Sequence, residues 1–345
     1  MNKLFFLIIA AGIILCGCAD KYENKVTLKL EEVARFGAEQ GTNDEVIAFA
    51  ADFVVDKNEN VYVADFIARK IKKYSPAGKL IKMFGKGEGE GPGEFKQIRS
   101  VEVDDSNNVY VADMSRNVVA VFDSAGTLIK EIKPKLRPAY LLASSMNEVY
   151  FLGFWNHKTD KVISKLDFTK DDPEQGAVTF CERFKGEKNW EIANVGYTGS
   201  IFRDKENNIY YSAFYPYYIR KYSKEGKLLT EYEREAPFYK PPYIKHKTPL
   251  YVAPVSGSQT TALLSNKYIL NEIYSTDKDS GKFILYLDIW DKDKEEFLAM
   301  IPEKDLNMEL SRYIYADEKG YFYNYCEKPY PHIKKYKAII SYIKK

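Results

Sequence analysis

Several spacings in this 345-residue chain invite a chemical reading. Asp56-x-x-x-Asn60, Asp104-x-x-x-Asn108 and Asp204-x-x-x-Asn208 bring together carboxylate and amide oxygens of the kind that hold calcium. The glycine and the closing glutamate of a calcium loop are absent, however, and each group sits between two alternating apolar runs, where Asp and Asn fix a tight turn by bonding their own backbone. Asp65 and Asp113 also recur once per repeat, which a catalytic residue has no need to do. They are expected to accept backbone N–H bonds in the following turn. The run Gly85 to Gly93 lacks the Gly-Lys-Ser or Gly-Lys-Thr ending of a phosphate loop and carries Glu88 and Glu90, which repel phosphate; it reads as a flexible connecting loop. The three histidines, His157, His246 and His332, are the minimum for a zinc site, and they lie far apart in the chain. No Gly-x-Ser-x-Gly nucleophile elbow occurs. Beyond the N-terminal region only Cys181 and Cys326 remain, outside any Cys-x-x-Cys spacing, and they read as free thiols. No catalytic residue, metal or cofactor is assigned.

The corresponding loops of the repeat share aromatic and cationic side chains. Phe66 and Arg69, Met114 and Arg116, Trp155 and His157, Phe214 to Tyr218, and Tyr330 occupy matching places. Arg69, Arg116, Trp155, His157, Tyr217 and Tyr330 are therefore the candidate ligand-binding residues, flat rings and a few cations suiting sugars, peptides or aromatic groups. Tyr140, Tyr197 and Tyr243 join them from neighbouring loops. The competing reading is that these rings cover the ends of the sheets and pack on their neighbours.

The elements that position these loops come from one repeated unit. Asp56 to Leu80, DKNENVYVADFIARKIKKYSPAGKL, aligns without a gap on Asp104 to Leu128, DDSNNVYVADMSRNVVAVFDSAGTL, at an offset of about 48 residues, the length of one four-stranded propeller blade. The unit restarts at Met146 to Phe151, at Asp204 to Leu228, weakly at Lys267 to Leu270 with Phe283 to Trp290, and at Asp317 to Tyr323. In the last copy Ile333-Lys334-Lys335-Tyr336 repeats Ile71-Lys72-Lys73-Tyr74. Six restarts predict an all-β, six-bladed β-propeller over residues 26–345. Val26 to Phe36 reads as a strand with no partner before it, at the phase of an outermost strand, and is expected to complete the last blade and close the ring. An open solenoid would instead need a distinct polar cap at each end.

Ahead of the ring, Met1-Asn2-Lys3 and the apolar run Leu4 to Leu15 have the parts of a secretory signal. Leu15-Cys16-Gly17-Cys18 resembles a bacterial lipobox, which implies a lipoprotein signal peptide over residues 1–17, acylation of Cys18, and a lipidated tether over residues 18–25.

The order of FGKGEGEGPGEF, an alternating strand ending in Asp104, and then Asn-Val-Tyr-Val-Ala-Asp resembles the NHL repeat of propeller blades. As a whole the chain resembles six-bladed propeller lipoproteins of Bacteroides-type envelopes. The resemblance implies an envelope lipoprotein, and fold alone does not choose its activity; the missing catalytic constellation and the aromatic, near-neutral loops favour a non-enzymatic binding or scaffolding protein with its ligand, a glycan, a peptide or an envelope protein, on the loop face around the central channel. The alternative is a metal-dependent lyase or hydrolase at the channel mouth, because lyases of this kind gather histidines from several blades. With a formal net charge of +2 and no basic stripe, no nucleic-acid partner is expected. The membrane is engaged through the lipid. Ala19-Asp20-Lys21 offers one acid where surface export asks for an acidic run, so the periplasm-facing side is preferred.

Overall fold

The computed structural model describes residues 23–42, 44–135, 140–152, 161–182, 199–236, 240, 243–247, 250–253, 256–276, 282–311 and 313–344. Its strands form six four-stranded antiparallel sheets set as blades around a ring. Blade 1 is Ala50–Val55, Val61–Asp65, Lys70–Tyr74 and Leu80–Phe84, counted outward from the axis, and blade 2 is Ile98–Val103, Val109–Asp113, Val118–Phe122 and Leu128–Ile132. Blade 3 is Tyr140–Ser145, Glu148–Leu152, Lys161–Leu166 and Val178–Glu182, and blade 4 is Gly199–Arg203, Ile209–Ala213, Ile219–Tyr222 and Leu228–Tyr232. Blade 5 is Ser256–Leu264, Tyr268–Thr276, Phe283–Asp291 and Glu296–Pro302. Blade 6 takes Ile314–Ala316, Tyr321–Cys326 and His332–Tyr342 from the end of the chain and Val26–Phe36 from its beginning.

That last pairing closes the ring as expected. Val26 lies opposite Tyr342 and Phe36 opposite Ile333, with one bulge between Glu32 and Ala34. The seam is tightened by Gly78 in the outer turn of blade 1, whose φ is +84° and whose absent Cβ would sit 2.2 Å from the Arg35 carbonyl oxygen of blade 6. Only glycine fits both the conformation and the gap.

The core is a set of interfaces rather than a single centre. Val61–Asp65 and Val109–Asp113, both VYVAD, are buried at every position, because successive side chains point to opposite faces and each face meets a neighbouring blade. Tyr62 and Ala64 pack with Val101, Val103 and Phe95 of the blade 2 side. Val61 and Val63 pack with Tyr323 and Tyr325 of blade 6. Among the described residues every pair of adjacent blades shares one such apolar cluster.

The recurring aspartates work as turn-formers. Asp56 Oδ1 accepts the N–H groups of Asn58 and Asn60, both at 2.9 Å, and its Oδ2 accepts the Tyr62 hydroxyl at 3.2 Å. Asp104, Asp204 and Asp317 repeat the arrangement, with Tyr110, Tyr210 and Tyr323 donating at 2.8, 3.1 and 3.0 Å. Asp65 accepts N–H bonds from Ala48, Ile67 and Ala68, and Asp113 from Lys96, Ser115 and Arg116. Cys181 and Cys326 are free thiols.

Two features depart from the expected plan. The glycine-rich loop is knit rather than slack: Lys86 N–H donates to the Gly93 carbonyl, Phe95 N–H to Gly87, Gly91 N–H to Glu94 and Gly93 N–H to Glu131. Between blades 4 and 5 an inserted hairpin, Tyr243–Lys247 with Leu250–Ala253, precedes a blade whose first three strands are each 9 residues long.

Candidate functional site in the central channel

Each blade's first strand has no sheet partner on its inner side, so the six of them surround a channel with their edges. The cavity there has a volume of about 520 Å3 and is lined by side chains from the first strands and from the turns that follow them. Its walls are apolar at Phe53, Leu142, Ile201, Ala262 and Ile314 and polar at Asp52, Ser100, Glu102, Ser200 and Arg203. An unpaired strand edge must find acceptors for its N–H groups, and side chains of the preceding blade supply some of them. Asp52 Oδ2 accepts Val101 N–H at 3.1 Å and the Ser100 hydroxyl at 2.8 Å. Ser100 Oγ accepts Leu141 N–H at 3.3 Å, and Ser200 Oγ accepts Thr261 N–H at 3.1 Å.

A guanidinium stands at each end of the channel. At the start of the first strands, Arg99 of blade 2 donates to the Tyr140 hydroxyl of blade 3, lies 4.9 Å from that ring's centre, and bonds Tyr313 beside blade 6. Blades 3 and 6 face each other across the ring, so this contact spans the channel. At the turn end, Arg203 of blade 4 reaches across to Asp105 after the first strand of blade 2, at 2.6 Å, and to Asn207 at 2.8 Å. Lys57 donates to the Asp105 carbonyl at 3.0 Å, and Lys319 pairs with Glu59 at 2.6 Å.

Between these ends lie two carboxyls with altered acidity. Burial pushes Asp52 up to about 6 against the bonds from Ser100, Val101 and Phe53. Burial pushes Glu102 up to about 8; the Val103 N–H and Arg203 oppose the rise, while Asp52 and Asp104 add to it. Glu102 Oε1 accepts Val103 N–H at 2.9 Å. No bond to its Oε2 is found among the described residues. A carboxyl of this kind is protonated near neutral pH and can donate a hydrogen bond or take up a cation.

Blade 2 also breaks a pattern that blades 1, 3, 4 and 6 keep, while blade 5 has Ile269 and Trp290 in place of the tyrosine and the lysine. In blades 1, 4 and 6 a third-strand lysine stands near the turn aspartate and over the second-strand tyrosine: Lys73 with Asp56 and Tyr62, Lys221 with Asp204 and Tyr210, Lys335 with Asp317 and Tyr323. Blade 3 keeps it with Lys165, Glu148 and Tyr150. In blade 2 the position is Val121, packed in the interface with blade 3, so Asp104, two residues from Glu102, has no such lysine.

Of the residues expected to bind ligand, the four that are described, Arg69, Arg116, Tyr217 and Tyr330, are each set against different partners. Arg116 forks onto Glu131 of the outermost strand of blade 2 with two contacts of 3.0 Å and donates to the Glu94 and Glu90 carbonyls. It therefore points away from the axis and clamps the glycine-rich loop. Tyr217 is half-buried and packs between blades 4 and 5, as the competing reading has it. Its hydroxyl donates to Asp288 Oδ2 at 2.7 Å and accepts from Trp290 Nε1 at 2.9 Å. The same carboxylate is held by Arg234 through bonds of 2.7 and 2.9 Å. Tyr330 is at the rim of blade 6, 4.8 Å from the His332 ring and bonded to Arg35 of the outermost strand. Arg69 has a left-handed φ of 54° and lies 4.4 Å over the Phe66 ring, its Nε and Nη1 buried without hydrogen-bond partners. Trp155, His157 and Cys18 lie outside the described residues, and His246 falls in the inserted hairpin. His332 is wholly buried in the third strand of blade 6, away from the channel, with Nδ1 2.6 Å from the Tyr330 carbonyl; burial lowers its pKa. No group of three metal-binding side chains occurs among the described residues.

Sequence reasoning missed Asp52, Arg99, Glu102 and Arg203. One signal was available in Glu102, an acid inside the otherwise apolar run Val101-Glu102-Val103.

The family DUF5128, described as a 6-bladed beta-propeller, matches residues 76–246. No curated protein matches the chain. Among solved structures the chain is similar to a member of the DUF4221 family from Bacteroides vulgatus, with a TM-score of 0.67 and 10% identity over 93% of this chain and 100% of that one. It is similar also to a Bacteroides fragilis protein described as exported, with a TM-score of 0.60 and 11% identity over 93% of this chain and 96% of that one. A virginiamycin B lyase from Staphylococcus aureus matches with a TM-score of 0.51 and 11% identity over 91% of this chain and 100% of that one. Identities this low establish architecture and no shared activity, and the architecture agrees with the blades traced above: the chain is a six-bladed β-propeller, closed by its own N-terminal strand.

Proposed function

We propose that this protein is a non-enzymatic binding propeller of the bacterial envelope, anchored through lipid on Cys18, whose ligand occupies the central channel. The observation that carries this reading is the combination of a channel cavity of about 520 Å3 with a carboxyl, Glu102, that faces it with one oxygen unengaged. A cavity of that size, lined by apolar and polar groups alike, suits a small ligand or a single side chain of a larger one. The N-terminal Leu15-Cys16-Gly17-Cys18 and the fold shared with a protein described as exported support the envelope location. The metal-dependent lyase or hydrolase alternative draws no support from His332, which is spent in blade 6.

A binding screen with glycans, peptides and small polar metabolites tests the site. Ligands found by calorimetry are remeasured on Glu102→Gln and on Arg116→Ala. Loss of affinity in the first alone supports the channel; loss in the second alone moves the site to the outer loops, where Arg69 and Tyr330 also lie. The anchor is tested separately. Cys18→Ser is expected to abolish acyl labelling and release the protein from membranes, and unchanged membrane association would refute it.

A further inference from the structure

We propose that the ligand of the channel carries a basic nitrogen, an amine or a guanidine, that docks beside Glu102. The inference rests on the channel being the binding site and comes from the balance of charge around it. At the far end Asp52 and Arg99 lie within electrostatic reach of one another, one acid to one base. Around Glu102 itself, blade 2 brings three carboxyls to the turn end, Glu102, Asp104 and Asp105, and the cations that reach this group are Arg203 and Lys57, whereas Glu59 is paired by Lys319. Arg203 is committed to Asp105 and Asn207, and Lys57 to the Asp105 carbonyl. The lysine that other blades place near the turn acid is missing here, with Val121 in its position.

The blade 2 side of the cavity is therefore one positive charge short. Excess charge in a poorly hydrated space is relieved either by a proton or by a counter-charge brought from outside. Without ligand the proton resides on Glu102, whose acidity is weakened to about 8. A cationic ligand replaces it. Two aromatic residues, Tyr315 and Phe53, with ring centres 6.4 Å apart, also border the cavity, and aromatic rings attract cations. The unengaged Glu102 Oε2 supplies a charge-assisted acceptor. An anionic ligand would add to the surplus of acids.

Proton balance gives the reading its signature. An ammonium ligand is charged already, so its docking near neutral pH expels the proton from Glu102 to buffer. The titratable and charged groups facing Glu102 are Asp52 and Lys57 from blade 1, Asp104 and Asp105 from its own blade, Arg203 from blade 4 and Tyr315 from blade 6. Asp52, pushed up only to about 6, is already mostly ionised at neutral pH, which leaves Glu102, at about 8, as the proton source.

The test is calorimetry of the full chain with matched probes: benzylamine, tyramine and arginine methyl ester against benzyl alcohol, 4-ethylphenol and benzoate, each in phosphate and in Tris. The expected result is binding by cationic probes only, proton release shown by a buffer-dependent heat, and affinity reduced at least about tenfold in Glu102→Gln. Asp105→Asn, which frees Arg203 to neutralise Glu102, should weaken the same probes. Equal binding of neutral or anionic probes, binding without proton release, or failure of every cationic probe overturns the inference. A neutral ligand from the wider screen that is lost in Glu102→Gln would leave the channel standing and refute the basic nitrogen alone. Cationic binding indifferent to Glu102→Gln and Asp105→Asn would refute both.

Discussion

Replacing Tyr217 with phenylalanine should destabilise the protein without altering ligand binding. The ring stays, and with it the packing between blades 4 and 5 against Tyr210, Ile269 and Trp290. The loss is the hydroxyl, which now donates to Asp288 at 2.7 Å and accepts from Trp290 Nε1 at 2.9 Å. A hydrogen bond to a charged group is worth about 1.5–3 kcal/mol, and a buried indole N–H left without an acceptor costs about 1–3 kcal/mol more. Because Arg234 still holds Asp288 through two bonds, the carboxylate is not stranded, and the sum is set at about 2–4 kcal/mol. A chain of this size melts with an entropy of roughly 0.7 kcal/mol/K, so Tm should fall by about 3–6 °C. Tyr217→Ala adds an interior void and should fall further, by about 3–5 kcal/mol beyond the phenylalanine variant. Scanning calorimetry of both variants is the assay. Tyr330→Phe at the rim serves as the control and should melt within about 1 °C of the parent, as surface changes do. If Tyr217→Phe also melts within about 1 °C of the parent, the hydroxyl is not engaged in the fold, and the loop-face reading of Tyr217 regains its case.

Further outcomes follow from the same structure. Deleting residues 26–36 removes the outermost strand of blade 6, uncovers the edge of His332–Tyr342, and takes away Val26 and Phe36, each worth about 1.5–3 kcal/mol when buried; the variant should aggregate or melt without cooperativity, and a stable monomer would contradict ring closure. Asp104→Ala strips the acceptor from Ser106 N–H, Asn108 N–H and the buried Tyr110 hydroxyl, so stability measured in urea should drop by about 2–4 kcal/mol, while added calcium should leave the parent's melt unmoved. Glu102 is raised by burial to about 8 in the folded state against about 4.3 unfolded. The folded protein thus binds the proton more tightly in that interval, and its stability falls as pH rises from about 4 through about 8. Glu102→Gln lacks this loss, so its stability relative to the parent should climb across the window; a difference that stays flat with pH would show that Glu102 titrates normally.

What was legible in the sequence is what is local or strictly repeated. The groups that bond the Asp56 carboxylate in its turn, from Asn58 to Tyr62, all lie within six residues of it, so the turn could be read from spacing alone. The closing strand was legible because Val26 to Phe36 keeps the phase of an outer strand, and the ring needs one there. The partners of the loop residues were not legible, for a definite reason. A matching position in the repeat assigns a side chain to one end of the ring, but whether it points inward, outward or into the next blade depends on partners elsewhere: Glu131 for Arg116, Asp288 for Tyr217, Arg35 for Tyr330. The inserted hairpin before blade 5 has no counterpart in any other copy, so no alignment of the chain on itself could place it.

The channel was hidden by the same logic taken one step further. Glu102 acquires its meaning from Arg203, a hundred residues away and two blades on, and from Asp105, which holds Arg203 in place. Val121, read along the chain, only improves an apolar strand, since Val118–Phe122 is buried throughout. Once Lys73, Lys221 and Lys335 are set beside the turn acids of their own blades, the valine becomes a missing charge. Residues that most copies share, the turn aspartate, the tyrosine that bonds it and the lysine over that tyrosine, are accounted for by the fold. A site needs groups whose charge the fold has not already cancelled, and in a ring of repeats those are found where one copy departs from the others. Blade 2 departs in two places, Glu102 facing the channel and Val121 behind it, and both changes shift the local balance in the same direction, toward a vacancy for positive charge.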